Sequence, residues 1–290
     1  IRKAVYPLKS IHDQRVAKTR VNLSDYLVSS LSFNDYETNS LGAAISDTSS
    51  TSITVGSTIS LTPPFYLTVD TETMQVTAKD GTTLTVTRGT NSTTAATHSS
   101  GATAYAWKIV DSKGKIWTPY GNVCIQDGHM VLDGSLDYIY PAESSDFAYG
   151  TGDFTEELHI YPITNSNGVT LDGNSADLVG DGPIMSITND TTMMFKYYGG
   201  NDGFTRGTII QNAWSHIALC RKDGISYGFI NGAACGNSSS AYTCSSTKRT
   251  IGSYAGRNNY CFNGRIDRYR AYNGIALYTA AFTPPARTDA

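Results

Sequence analysis

The sequence predicts an all-β chain: a small N-terminal β-module followed by a two-sheet antiparallel sandwich. Three observations predict it. The chain is rich in Tyr (19) and Gly (27) and only 16% charged, which suits short strands and polar turns better than helices. Apolar residues alternate at period two in many short runs. Gly, Pro, Asn-Gly and Asp-Gly punctuate those runs. The length, 290 residues, provides for more than one core.

The net charge of −3 argues against a nucleic-acid or anionic-membrane partner. No apolar run approaches the roughly 20 residues of a membrane helix, and no signal-peptide pattern opens the sequence. The cysteines, Cys124, Cys220, Cys235, Cys244 and Cys261, are odd in number and irregular in spacing, so they suggest no disulfide framework. None sits at zinc spacing. Cys235 and Cys244 flank a polar tip, and whether they pair is open.

Residues 1–40 read as an anchoring arm. Arg2, Lys3, Lys9, Arg15, Lys18 and Arg20 face only Asp13 in the first twenty residues. Val5, Tyr6, Leu8, Ile11, Val16, Leu23, Tyr26 and Leu27 follow no sustained period. They are more apolar anchors than a solvated tail needs, so the arm is expected to order against a partner; a loose terminus is the alternative. Ser24–Phe33 suits a short helix capped by Ser24, or a strand.

Residues 41–105 alternate regularly. Ile53, Val55, Leu67, Val69, Met74, Val76, Leu84 and Val86 form an inward set. TMQVTA and TLTVTR, joined through Asp80-Gly81, predict the clearest hairpin. Phe65–Tyr105, with TSITV before it, resembles a small β-module of tailed-bacteriophage virion proteins. Arg88, Gly89, Thr94, Ala95, His98 and Gly101 carry the resemblance by their order and spacing. It implies a structural module of a phage particle rather than an activity.

Residues 106–290 hold too many strand candidates for one flat sheet. In GDFTEELHIYP, Phe154, Glu156, Leu158 and Ile160 fall on one side, and Thr155, Glu157, His159 and Tyr161 on the other. That phrase, LDGSLDYIYP (Leu132–Pro141), WSHIALCRKDGISYGFING (Trp214–Gly232) and Ile251–Pro285 resemble, in order, phrases of laminin-G and pentraxin-like jelly rolls. The resemblance implies a concanavalin-A/laminin-G-like jelly-roll sandwich. It also places Trp214, Ala218, Phe229, Ile266 and Phe282 in the core.

Catalytic jelly rolls carry a Glu-x-Asp-x-x-Glu strand, and none occurs here. Glu156 and Glu157 are adjacent, so a strand points them to opposite faces, unlike a glycosidase pair. Asp153, Asp267 and Asp289 have no evident partner. His12, His98, His129, His159 and His216 are isolated, and His216 reads as a strand histidine with a satisfied partner. No nucleophile elbow or phosphate loop is present. No catalytic residue and no cofactor are expected.

The laminin-G resemblance raises a rim calcium ion, for which Asp172, Asp181 and Asp190, with Asp177 and Asn189, lie in suitable polar loops; solvated surface acids are the alternative. Glycan binding needs an aromatic platform beside planar hydrogen-bonding groups. Tyr254, Arg257, Asn258, Asn259 and Tyr260 offer that composition, and Lys196–Phe204 is a second candidate. Ordinary Tyr- and Asn-rich turns are the alternative for both.

These readings describe a non-enzymatic phage virion surface protein, part of a tail fibre, head fibre or capsid decoration. The arm is expected to bind other virion proteins, and the jelly roll a host-surface glycan. A homo-oligomer, trimer favoured, is expected. A pure decoration role is the alternative, and the missing carboxylate spacing disfavours a depolymerase.

Overall fold

A computed structural model describes residues 22–164, 169–172, 182–188, 191–197, 204–239, 242–253 and 260–287. The first strands are β1 (Leu27–Ser30), β2 (Tyr36–Ser40), β3 (Ser52–Thr54), β4 (Phe65–Val69), β5 (Glu72–Asp80), β6 (Thr83–Thr90) and β7 (Thr103–Trp107). Next come β8 (Trp117–Tyr120), β9 (Cys124–Gln126), β10 (His129–Asp133), β11 (Tyr138–Pro141), β12 (Phe154–Thr164), β13 (Val169–Asp172) and β14 (Pro183–Thr188). The last are β15 (Thr192–Tyr197), β16 (Phe204–Thr208), β17 (Ser215–Lys222), β18 (Ile225–Ile230), β19 (Ala233–Ser239) and β20 (Asn263–Asn273). Among the described residues, helix is confined to two 3-10 turns, Leu23–Asp25 and Ser145–Phe147.

In the module the period-two pattern sets the buried face. All eight residues of the inward set are buried, joined by Leu41, Ile45, Ile59, Phe65, Ala104 and Ala106. The strands form one antiparallel sheet in the order β2-β7-β4-β5-β6-β3. The expected hairpin is β5–β6, with Asp80 opposite Thr83.

The second unit is the jelly-roll sandwich. Its large sheet runs β19-β18-β17-β12-β20-β10-β9, with β1 also on β20. Across the core lie the four-stranded sheet β13-β14-β15-β16 and the pair β8–β11. Leu158, Ile160, Ile217, Leu219 and Ile266 of the large sheet share one buried cluster with Ile139, Met185, Ile187 and Phe195. The segments on either side of Gly134 do not pair with each other, because β10 joins β20 while β11 joins β8.

The described part of the arm is integral to the fold. β1 pairs with β20, Leu27 opposite Tyr272, and β2 pairs with β7, Tyr36 opposite Trp107. Leu31 and Phe33 lie in the sandwich core. Leu27, Leu31 and Phe33 thus find their partners in this chain's own β units, whereas Leu23 stays exposed. Ser24 does not begin a helix: Asn22 caps the 3-10 turn and a strand follows. β7 also carries the module past residue 105, to Trp107.

The core expectation holds for Ala218, Phe229 and Ile266, but Trp214 and Phe282 are only half-buried. Those two pack on the outer face of the large sheet, where the chain after β20 crosses it. All five cysteines are free thiols, Cys235 and Cys244 included.

Candidate functional site

β12 sorts its carboxylates by alternation. Glu156 turns into the core, 2.8 Å from Arg249, and accepts a 2.5 Å bond from the Tyr149 hydroxyl. Arg249 also lies over the Phe147 and Tyr149 rings, at 5.2 and 5.5 Å. Burial pushes the Glu156 carboxyl above the ordinary range against the opposing charge of Arg249.

Glu157 points to the other face. It lies 3.1 Å from His216 Nε2 and 2.8 Å from Arg270 Nε, and accepts a 2.9 Å bond from the Tyr278 hydroxyl. Burial works to raise its carboxyl, but the His216 bond and the Arg270 charge bring it below the usual range. His216 thus has the expected partner. His159 packs 4.9 Å from it, and burial, then the His216 charge, push His159 down to about 4. Two carboxylates on opposite faces, each occupied by a buried cation or hydroxyl, cannot flank one glycosidic bond.

Two acids expected to stand alone have partners. Asp153 lies 2.6 Å from Lys222, and Asp267 lies 3.7 Å from Arg287. His98 is not isolated either. It lies 2.9 Å from Glu72 and 2.8 Å from Asp70. Glu72 also accepts bonds from Arg88, Gly89 N–H and Ala96 N–H. The spacing of the TRG…H phrase is thereby explained: the loop after β6 is tied to one buried carboxylate.

Of the loop singled out in the sequence, Tyr254, Arg257, Asn258 and Asn259 lie outside the described residues, and Tyr260 is half-exposed at 38%. The stem is described. Ser253 and Cys261 form an antiparallel bridge, and Phe262 N–H donates to Gly252 O at 2.7 Å. Just before the stem, Ile251 bridges to Ile139 in β11. The stem thus lies beside β11.

Sequence reasoning missed what β11 and β8 present there. Tyr138 and Tyr120 are direct cross-strand partners, with rings stacked at 4.8 Å and 19°. Tyr140 packs on Tyr138 at 5.8 Å. Tyr120 is 47% and Tyr140 39% exposed, with Tyr138 only 9% exposed between them. Tyr140 also lies near enough to Tyr66 of the module to raise its phenol pKa, after burial. The signal was Tyr138 and Tyr140 at i and i+2 on a strand, but their meeting with Tyr120 depends on register.

Polar groups flank this row. Asn122 Nδ2 donates to Asp133 Oδ2 at 3.0 Å, and Ser135 N–H donates to Asp133 Oδ1 at 2.8 Å. Beneath them Asp137 accepts the N–H groups of Asn122 and Asp133, at 2.5 and 2.6 Å. Burial pushes the Asp137 carboxyl up to about 7, against those two bonds and with the help of Asp133.

For the calcium expectation, Asp172 ends β13, while Asp181 and Asp190, with Asp177 and Asn189, lie outside the described residues. Among the described residues no three His, Cys, Asp or Glu side chains gather to hold a metal ion. Of the second candidate loop, Lys196 and Tyr197 end β15 and Phe204 begins β16; the rest lies outside the described residues.

The fold and the sequence define a lectin-like class. The profile of the concanavalin A-like lectin/glucanases superfamily matches residues 133–279, half of the chain, and the chain belongs to that superfamily. No curated protein matches it in sequence. Among solved structures, botulinum neurotoxin type C, whose cell entry depends on interaction with two ganglioside molecules, is 12% identical with a TM-score of 0.45. That alignment covers 58% of this chain and 46% of the neurotoxin chain, so this chain spans about half the neurotoxin's length. Domain 4 of an extracellular GH43 arabinanase from Geobacillus stearothermophilus, in complex with arabinotriose, is 18% identical with a TM-score of 0.44 over 58% of this chain and 88% of its own. The heptameric SAP-like pentraxin of Limulus polyphemus is 13% identical with a TM-score of 0.38, over 50% and 71%.

Proposed function

We propose that the protein is a non-enzymatic surface component of a tailed-phage virion whose jelly roll binds carbohydrate for host attachment. Membership of a lectin/glucanase superfamily leaves two branches. The observation that favours the lectin branch is the division of Glu156 and Glu157 between opposite faces of β12, each in its own buried network. The virion assignment rests on the TRG…H phrase of the module. Residues 1–21 carry the attachment to other virion proteins, because 22–40 are committed to the two β units. A closed homo-oligomer, three-fold by preference, completes the reading.

Two measurements test it. The full chain is applied to an array of bacterial surface polysaccharides, and its place on the particle is sought by cryo-electron microscopy. Binding without chain cleavage, together with density on virions, supports the reading. Release of oligosaccharide would make the protein a depolymerase. Virion density without binding would make it a decoration.

A further inference from the structure

We propose that the row Tyr120–Tyr138–Tyr140 is the platform on which a saccharide sits, with Asn122 and Asp133 bonding its hydroxyls. This rests on the lectin reading and gives it a site.

Three tyrosines at one strand pair would ordinarily pack inward. Here the inward side of β8 and β11 is already filled by Trp117 and Ile139, both 1% exposed or less. The tyrosines occupy the alternate positions. Tyr138 is covered by its two neighbours, so it serves as backing, while Tyr120 and Tyr140 remain open. Tyr120 stacks on Tyr138 and is 47% exposed. An exposed tyrosine ring suits the apolar face of a sugar ring, and its hydroxyl remains available for bonding.

The polar groups are fixed before any ligand arrives. Two residues after Tyr120, the Asn122 amide is held by Asp133, and the Asp133 carboxylate is held in turn by Ser135 N–H. Asp137 clamps both turns from below. Preorganised groups lose little freedom on binding. An amide and a carboxylate offer both donors and acceptors, the complement of vicinal hydroxyls. The charge-bearing groups of this network are the Asp133 and Asp137 carboxyls, which favours a neutral sugar over a phosphorylated or sulfated one.

The test compares four full-length proteins on the polysaccharide array, with titration calorimetry on each hit. They are the wild type, Tyr120→Ala, Tyr120→Ala with Tyr140→Ala, and Tyr120→Trp. Thermal melts and light scattering on all four report folding and oligomeric state. The expected loss is about tenfold for each exposed ring removed, with Tyr120→Trp retaining binding. Wild-type binding that the tyrosine variants leave intact overturns this site and spares the lectin reading. A wild type that binds no glycan overturns both. A tyrosine variant that changes the oligomeric state while keeping its glycan affinity makes the row a subunit contact, and also overturns the proposal.

Discussion

Arg88 grips Glu72 through two parallel bonds of 2.7 Å, Nε to Oε1 and Nη2 to Oε2. Both side chains are buried, at 5% and 0% exposure. The same carboxylate collects Gly89 N–H, Ala96 N–H and His98 Nε2, so one acid joins β5 to the far end of the loop after β6. A buried charge this fully bonded is costly to disturb, because removing it leaves a buried guanidinium unpaired. Glu72→Gln is expected to destabilise the module by about 3–5 kcal/mol. Urea unfolding checks this, and a loss below about 1 kcal/mol, the scale of an exposed pair, would contradict it.

The same cluster sets an acid limit. Burial alone would raise the Glu72 carboxyl, but Arg88, Ala96 N–H, His98 and Gly89 N–H hold it down at about 2. A depressed carboxyl binds fewer protons folded than unfolded, so its contribution is present above about pH 4.5. It is lost as the pH falls towards 2. The urea midpoint of the wild type should therefore drop between pH 5 and 2 more steeply than that of Glu72→Gln. Parallel curves for the two proteins would mean the ion pair contributes nothing.

Much of this architecture is legible in the sequence, and the reason is local. In β4, β5 and β6 alternation alone identifies Leu67, Val69, Met74, Val76, Leu84 and Val86 as buried, because successive side chains must face opposite ways. The same rule separates Glu156 from Glu157. What alternation does not give is partnership. Leu27 pairs with Tyr272 across nearly the whole chain, and nothing near either residue announces it. The tyrosine row depends on the register of β8 against β11, which a single sequence does not specify. Trp214 was read as core from a phrase, yet it lies on the outer face, with the Arg287 guanidinium 4.5 Å from its ring centre. A large aromatic on a sheet reports burial against something, not against which side.

The chain after β20 is bound to the outer face of the large sheet, and one glycine decides its seating. Thr155 Oγ1 accepts Leu277 N–H at 2.9 Å, Tyr278 bonds Glu157, and Phe282 packs 5.2 Å from Phe229. Phe282 N–H then donates to Gly232 O at 3.0 Å. Gly232 has φ +76°, and a Cβ there would collide with Phe282 O. Gly232→Ala therefore carries both backbone strain and a steric clash, and the cheapest relief is to lift residues 280–287 off the sheet. Gly81→Ala is the control: its φ is +58°, but a Cβ there meets nothing within 4 Å, so only the strain of about 1–2 kcal/mol remains. Hydrogen exchange should show the Phe282 amide losing protection in Gly232→Ala and keeping it in Gly81→Ala. Equal protection in the two variants would mean that Thr155, Glu157, Phe229 and Asp267 hold the segment without Gly232, and that the contact at Gly232 is incidental.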